Sequence, residues 1–340
     1  MRIRARSVVL GLLAIVVLLL IVVISMVGWQ VVLGPRARAV TSRTIERTPA
    51  RLARGEYLVN SVASCFHCHS EHDLSTPELK IVEAKRGAGC LLPVPELGTV
   101  VAPNITPDPE TGIGNWTDDE ILRAFQEGVD KDGRALFPIM PYMNFAKLDD
   151  EDAASIVVYL RSIPPVKNAV PTTKLIFPLN LIVKTLPQPK AASTPAPART
   201  TPAARGNYLV NAVASCPDCH TPTKDGTPLP GLAFGGGNTF HDGGKIIFSA
   251  NITPDASGIA HYDEALFMQT LHTGKVPSRM LSHVMPFEAF QTMTDDDVRD
   301  VWAYLKTVPP AKHRLSNTDP PKKCPICGHE HGLGELNVKK

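Results

Sequence analysis

The hydrophobic residues of this chain are distributed unevenly, and the most apolar stretch lies near its start. Residues 7–35 contain no charged side chain, and 8–27 consist almost entirely of Val, Leu, Ile, Ala and Gly. This run reaches the ~20 residues that cross a bilayer and exceeds the ~7–15 apolar residues of a signal peptide. Residues 1–35 are therefore predicted to form a cytoplasmic tip and an uncleaved transmembrane anchor. The alternative is cleavage at the A-x-A-like sequence 37–39.

Beyond residue 53 the apolar positions recur at helical spacing, in two sets. Each set begins with a predicted helix, 55–64 or 206–215, that leads into a cysteine pair. A middle helix begins at the capping-box sequence of Thr117, and its counterpart begins near Asp263. The last helices begin near 149 and 294, and a Pro-Pro pair ends each of them. The pattern predicts mostly helical modules, so the fold class is predicted to be all-α.

The two sets are copies of one module. Arg-Gly-x-Tyr-Leu-Val-Asn begins at both 54 and 205, Asn-Ile-Thr-Pro-Asp at 104 and 251, and Met-Pro-aromatic at 140 and 285. Between the copies lies a stretch rich in Pro, Ala and Thr, which is typical of a semi-rigid spacer. The predicted segments are an anchor at 1–35, a basic stalk at 36–53, module one at 54–186, a linker at 187–204, module two at 205–313 and a Cys/His-containing tail at 314–340.

The same chemical motif stands at the same place in both modules. Cys65-Phe-His-Cys68-His69 returns as Cys216-Pro-Asp-Cys219-His220. C-x-x-C-H is the attachment signature of c-type haem, because one helical turn brings two thiols to the vinyl groups and the next histidine to the iron. The alternatives, a redox dithiol or half of a zinc site, require only C-x-x-C and do not account for the histidine that follows it in both copies. The motif therefore predicts two covalent haems, with His69 and His220 as iron ligands.

The second axial ligand decides between electron transfer and catalysis, since methionine fills the site that a substrate would need. Met140 and Met285 are related by the repeat, and each precedes proline and an aromatic residue in a loop before the last helix. A methionine in such a place is otherwise core filling. We expect both haems to have His/Met ligation.

Further repeated polar residues are predicted to line the haem pockets, where their donors suit propionate groups. The alternative is that Asn-Ile-Thr-Pro-Asp only shapes a turn. The predicted pocket residues are Asn104, Thr106, Trp116, Asn251, Thr253 and Tyr262.

The composition of the chain identifies no binding partner, and its compartment follows from the haem motifs. The formal net charge is +2, and nothing in the sequence indicates nucleic-acid binding. Arginines lie on both sides of the apolar run, so the positive-inside rule does not decide its orientation. Covalent haem attachment takes place on the exported side of the bacterial membrane, so the haem modules are predicted to be periplasmic. The basic stalk is predicted to be solvated, or to lie against anionic headgroups.

Three cysteines remain outside the haem motifs. Cys324 and Cys327, with His329 and His331, offer four metal-type ligands that suit zinc, or a short disulfide in an oxidising compartment. Gly328 occupies the histidine position of a third haem motif, so a third haem is not expected. Cys90 is either a free buried thiol or an axial thiolate in place of Met140.

The order of these motifs resembles a known family. C-x-x-C-H, Asn-Ile-Thr-Pro-Asp, Gly-Asn-Trp at 114–116, Met-Pro-Tyr at 140–142 and a final Tyr-Leu before Pro-Pro are similar to the multihaem cytochrome c subunits of membrane-bound alcohol and gluconate dehydrogenases. The resemblance covers 54–185 and 205–313. It implies two tandem class I cytochrome c domains, ligation at Met140 and Met285, and electron delivery from a periplasmic dehydrogenase to quinone or a terminal acceptor. That family has three haem motifs and a C-terminal attachment, whereas this chain has two motifs and an N-terminal apolar run.

The sequence thus predicts a membrane-anchored dihaem electron carrier with no substrate chemistry of its own. Its expected partners are redox proteins: a dehydrogenase, a quinol oxidoreductase, a reaction centre or a terminal oxidase. One alternative is a fixed subunit of a larger respiratory, photosynthetic or dehydrogenase complex. Another is a dihaem peroxidase or thiosulfate-oxidising enzyme, which would need one haem without a methionine ligand.

Overall fold

The computed structural model describes residues 2–76, 79–190, 193–196, 198–224, 226–242 and 244–339. Its first helix, α1 (Arg2–Val27), contains a window from Arg6 to Ser25 with mean hydropathy 3.5, none of which is buried. By length and composition this helix is able to cross a membrane, a test that signal sequences also pass. A short helix, α2 (Gln30–Leu33), follows it.

The rest of the described chain is mostly helical, and its second half repeats the elements of its first. In both halves a π-helical turn, Leu58–Val62 or Leu209–Val213, joins the first helix to the cysteine pair. The remaining α-helices are α3 (Pro49–Tyr57), α4 (Cys65–His69), α5 (Asp118–Glu127), α6 (Tyr142–Phe145), α7 (Asp150–Leu160), α8 (Leu179–Ile182), α9 (Pro202–Tyr208), α10 (Cys216–His220), α11 (Glu264–Thr273), α12 (Phe287–Phe290) and α13 (Asp295–Leu305).

The all-α prediction needs one correction, because the loops of the described chain contain short antiparallel strand pairs. The longest joins 239–242 to 245–248, with Thr239 opposite Phe248. A two-residue ladder has no periodicity to detect, so helix spacing could not reveal these pairs. The strand pairs are β1 (Cys90–Leu91) with β3 (Val101–Ala102), β2 (Gly98–Thr99) with β4 (Lys174–Leu175), β5 (Thr223–Lys224) with β6 (Thr227–Pro228), β7 (Thr239–Asp242) with β8 (Lys245–Phe248), β9 (Lys275–Val276) with β10 (Arg279–Met280), and β11 (Lys322–Lys323) with β12 (Glu330–His331).

The sequence signals for helix starts correspond to real caps. Thr117 and Glu120 form a reciprocal capping box at α5, and Asp263 accepts a backbone hydrogen bond at the start of α11. Asp149 and Thr294 cap α7 and α13 in the same way. Each cap pairs a backbone N–H that the helix itself leaves without a partner, so these side chains fix where the helices begin.

The first and last helices of each half cross at glycine. A Cβ on Gly55 would lie 2.0 Å from the Ser155 carbonyl oxygen, and one on Gly206 would lie 1.9 Å from the Asp300 carbonyl oxygen. Only glycine permits this approach of α3 to α7 and of α9 to α13. The crossing closes each module around its cysteine helix.

The two modules meet through a reciprocal pair of contacts. Tyr57 of module one donates a hydrogen bond to Asp297 of module two (2.6 Å), and Tyr208 of module two donates one to Asp152 of module one (2.8 Å). The repeat relates the two tyrosines and the two aspartates, so the interface has approximate two-fold symmetry. Most of the buried apolar residues of the two modules form one continuous cluster that includes residues of both.

The basic stalk and the linker lie against module one where they are described. Arg38 bonds both oxygens of Asp119 at 2.7 Å, and Ile45 is buried with its N–H bonded to Asp118. In the linker, Arg199 forms an ion pair with Asp149 at the start of α7. Ala191, Ala192 and Pro197 of the predicted spacer lie outside the described residues.

Candidate haem sites

Both C-x-x-C-H motifs form a single turn of α-helix, α4 and α10. Ser64 and Ser215, the residues before each first cysteine, have left-handed backbone conformations that turn the chain out of the preceding π-helical segment. All seven cysteines lie in the described part of the chain, and each is a free thiol. Both motifs therefore have the thiols that haem attachment requires.

The histidine of each motif is held by a backbone carbonyl. His69 Nδ1 lies 2.7 Å from the carbonyl oxygen of Pro103, and His220 Nδ1 lies 2.7 Å from that of Ala250. A carbonyl only accepts, so Nδ1 carries the proton and Nε2 keeps its lone pair for a metal. Burial lowers the pKa of both imidazoles, which keeps them neutral. This is the usual outer partner of a metal-binding histidine.

The Asn-Ile-Thr turn fixes those carbonyl groups. Asn104 Oδ1 accepts from the backbone and hydroxyl of Thr106, and its amide donates to the Val166 carbonyl at 2.7 Å. Asn251 makes the same bonds to Thr253 and to the carbonyl of Ala311. These contacts agree with the turn-shaping alternative. Propionate binding by these four side chains stays a prediction.

The two repeated methionines lie in loops of the same construction. Met140 and Met285 are partly buried against the shared apolar cluster. The aromatic residue two positions later is buried in each case, and a Cβ on the glycine after the middle helix would strike its ring, at 2.7 Å for Gly128 and 2.9 Å for Gly274. The glycines thus let Tyr142 and Phe287 anchor the methionine loops.

Trp116 and Tyr262 also pack, half-buried, against the shared cluster, at matching places before α5 and α11. Among the described residues, no hydrogen-bond partner is found for the Trp116 indole N–H or the Tyr262 hydroxyl. Propionate binding by these two side chains stays a prediction. Cys90 lies beside module one's motif, where its Sγ donates to the Cys68 carbonyl at 3.2 Å. Its role as an axial ligand in place of Met140 stays untested.

The two motifs face each other across the module interface. Asn144, in α6 of module one, donates to both carboxylate oxygens of Asp218 in the second motif, at 2.9 Å each. In the first motif His67 lies beside the Val284 backbone and His283 of module two, and burial lowers its pKa to about 4. The Cys68 and Cys219 thiols are close enough to interact electrostatically. None of these contacts was predicted, because motif spacing carries no information on how modules pack.

The tail brings together a different set of ligands from the one predicted. His313, Cys324, Cys327 and His331 place their donor atoms within 4.8 Å of one another. His329 is not part of this cluster, because its two ring nitrogens lie 3.2 Å and 2.8 Å from the carbonyls of Gly237 and Thr223. His313 was missed because it follows Pro309-Pro310 at the end of module two, apart from the Cys-x-x-Cys segment.

Comparisons with known proteins indicate the family to which the chain belongs. The cytochrome c family model matches residues 52–164. The cytochrome c subunit of a quinone alcohol dehydrogenase from Gluconobacter oxydans is 28% identical over 311 residues, covering 83% of this chain and 60% of that protein. The cytochrome c subunit of gluconate 2-dehydrogenase from Pantoea cypripedii is 28% identical over 279 residues, covering 76% of this chain and 60% of that protein. This chain thus spans about 60% of the length of both relatives.

A third relative matches over most of its length. The diheme cytochrome c-type protein of Cereibacter sphaeroides is 30% identical over 267 residues, covering 76% of this chain and 86% of that protein. The predicted resemblance is therefore confirmed. The prediction of an electron-transfer protein rather than an enzyme is confirmed as well, since these relatives are named as cytochromes or cytochrome subunits. The chain belongs to the cytochrome c family, whose members carry covalently bound haem c.

Proposed function

We propose that the chain is a membrane-anchored dihaem cytochrome c that relays single electrons through two tandem modules. The observation that carries this proposal is the duplicated site, in which His69 and His220 each bond a backbone carbonyl through Nδ1 and leave Nε2 for a metal. Cys65 and Cys68 would hold one haem, and Cys216 and Cys219 the other. Haem iron supplies reversible one-electron chemistry when it is bound.

The packing of the two motifs supports transfer within the chain. Residues between the paired cysteines contact the opposite module in both copies. The sites are therefore part of one packed unit, and an electron entering at one module has a short path to the other.

We further propose that Met140 and Met285 complete the ligation. To test this, each is replaced by alanine in full-length protein, with the exposed Met143 and Met280 of the neighbouring positions as matched controls. Loss of Met140 or Met285 should remove half of the methionine-to-iron charge-transfer absorption in the near infrared, whereas the controls should keep all of it. A wild-type protein without this absorption would overturn the assignment.

We propose a membrane-bound or periplasmic dehydrogenase as the electron donor, because two relatives are named as cytochrome c subunits of dehydrogenases. Solubilised membranes should yield this chain together with a dehydrogenase subunit when an affinity tag follows residue 340. Recovery of the chain alone, in the mildest detergent that extracts it, would favour a free-standing carrier.

The apolar helix α1 supports placement in the bacterial inner membrane with the haem modules on the periplasmic side. The covalent haem requires export of the modules. Alkaline washing of membranes should leave the chain in the pellet if the helix is retained, and release it if the helix is cleaved.

A further inference from the structure

The C-terminal tail contains ligand chemistry that electron transfer does not use. Strands β11 and β12 pair antiparallel, and the Cys-x-x-Cys turn lies between them. In this turn Cys324 N–H donates to the His329 carbonyl at 2.8 Å, and Gly328 N–H donates to the Cys324 carbonyl at 2.9 Å. Gly328 has φ +78°, which closes the turn and is a conformation that glycine adopts readily. The turn thereby brings the Sγ atoms of both cysteines next to the same two buried histidines, His313 and His331.

Three of the six distances between ligand atoms in this cluster match the edges of a tetrahedral site. Cys324 Sγ lies 3.5 Å from His313 Nε2, Cys327 Sγ lies 3.5 Å from His331 Nε2, and the two Nε2 atoms are 3.1 Å apart. Tetrahedral zinc with Zn–S bonds of about 2.3 Å and Zn–N bonds of about 2.0 Å requires S···N edges of about 3.5 Å and an N···N edge of about 3.3 Å. The observed distances agree with these edges.

The tautomers of the two histidines also favour a metal site. His313 Nδ1 lies 2.8 Å from the Gly235 carbonyl, and His331 Nδ1 lies 3.0 Å from the Gly332 carbonyl. Both Nδ1 atoms therefore donate, and in neutral imidazoles both Nε2 atoms bear lone pairs. Two lone pairs facing each other at 3.1 Å repel unless a cation lies between them. The arrangement is that of a ligand pair.

The sulfurs have the outer hydrogen bonds that stabilise thiolates. Asn337 Nδ2 donates to Cys324 Sγ at 3.2 Å, and His329 N–H donates to Cys327 Sγ at 3.4 Å. The four ligand residues are at most 5% exposed, and both histidines are completely buried. Buried charged ligands of this kind are paired with a metal or with one another.

We propose that His313, Cys324, Cys327 and His331 bind one structural zinc ion. Two thiolates and two imidazoles suit zinc, and four protein ligands leave no coordination position for a substrate. Binding replaces the two thiol protons, which go to solvent. The site joins the tail to module two, because His313 bonds the Gly235 carbonyl and the next residue, Gly236, bonds the His220 carbonyl. The zinc thus fastens the tail behind the second haem motif.

Metal analysis of the full-length protein tests the proposal. Wild-type protein should contain about one zinc per chain, and the variants His313→Ala and Cys324→Ser should each retain less than about a tenth of it, since a structural site needs its complete ligand set. The matched control is His329→Ala, which removes the neighbouring histidine outside the cluster and should keep the zinc. Iron is measured in the same samples, so loss of haem is distinguished from loss of zinc.

A second measurement needs no variant. X-ray absorption at the zinc edge of wild-type protein should show two sulfur and two nitrogen neighbours. The proposal is overturned if iron-loaded protein contains no zinc, or if mass spectrometry of the unreduced protein finds a Cys324–Cys327 disulfide. It is also overturned if zinc survives His313→Ala but is lost in His329→Ala, since that result would assign the ligands differently.

Discussion

At the scale of single residues, the sites depend on backbone carbonyls held by buried amides. The C-x-x-C-H motif was sufficient to locate the cysteines and the histidine, because their chemistry requires a fixed spacing. The Pro103 and Ala250 carbonyls could not be predicted, since a carbonyl acceptor has no signature in sequence. His313 was missed for a related reason: a ligand contributed from a distant segment has no local spacing.

Replacing Asn104 by alanine should destabilise module one. The 2%-exposed side chain bonds Thr106 and Val166, and its loss leaves buried backbone groups unpaired. We expect a decrease of about 1–3 kcal/mol in the free energy of unfolding, measured by denaturant titration. The control Asn115→Ala removes only a solvent-exposed hydrogen bond to the Pro109 carbonyl and should change it by less than about 0.5 kcal/mol. Equal effects would contradict the role given to the buried amide.

At the scale of elements, helix caps and stops could be predicted well from sequence, because each is set by a few adjacent residues. Thr117, Asp149, Asp263 and Thr294 all cap the helices expected of them. The strand pairs of the loops could not be predicted, because two-residue ladders depend on how distant segments meet.

Gly55→Ala should disrupt the crossing of α3 with α7. The added methyl would lie 2.0 Å from the Ser155 carbonyl oxygen, so the helices must separate. Overpacking of this kind costs about 1–3 kcal/mol or more. Glu56→Ala, at the exposed next position of the same helix, is the matched control, and thermal unfolding followed by circular dichroism measures both. A Gly55 variant as stable as the control would show that the helices do not cross so closely.

At the scale of the whole molecule, the modules are joined by the exchanged Tyr57–Asp297 and Tyr208–Asp152 bonds. The sequence identified the duplication, but it predicted two modules separated by a semi-rigid spacer. The packing of the two modules could not be predicted, because the sequence is equally consistent with Tyr57 and Tyr208 lying in the cores of their own modules.

The double variant Tyr57→Phe, Tyr208→Phe should weaken this interface. Each lost hydroxyl leaves a carboxylate with one partner fewer, which costs about 1.5–3 kcal/mol for a bond to a charged group. The matched control is Tyr159→Phe, Tyr304→Phe, which removes bonds to Asn60 and Asn211 within single modules. Limited proteolysis of the linker should accelerate in the first variant only.

The same tyrosines should make the molecule sensitive to alkali. Burial raises the pKa of Tyr57 to about 12, and burial raises that of Tyr208 also. The unfolded state releases these protons near pH 10 while the folded state keeps them, so stability is complete below about pH 10 and falls as pH rises towards 12. The Phe, Phe variant should show a smaller loss in unfolding free energy between pH 8 and pH 11 than wild-type protein. An unchanged pH slope would exclude the two phenols as its source.

The exchanged tyrosine–aspartate bonds have a consequence for ancestry. A contact in which Tyr of one copy meets Asp of the other, and the reverse, is the isologous contact of a symmetric homodimer. A single module carrying both residues, as module one does with Tyr57 and Asp152, would satisfy it by pairing with a second copy of itself. Haem-loaded residues 36–190 should therefore dimerise in size-exclusion chromatography, and Tyr57→Phe should shift them to monomer. Fusion of such a dimer into one chain frees each half to diverge, as Asn144 and its counterpart Ala289 have done.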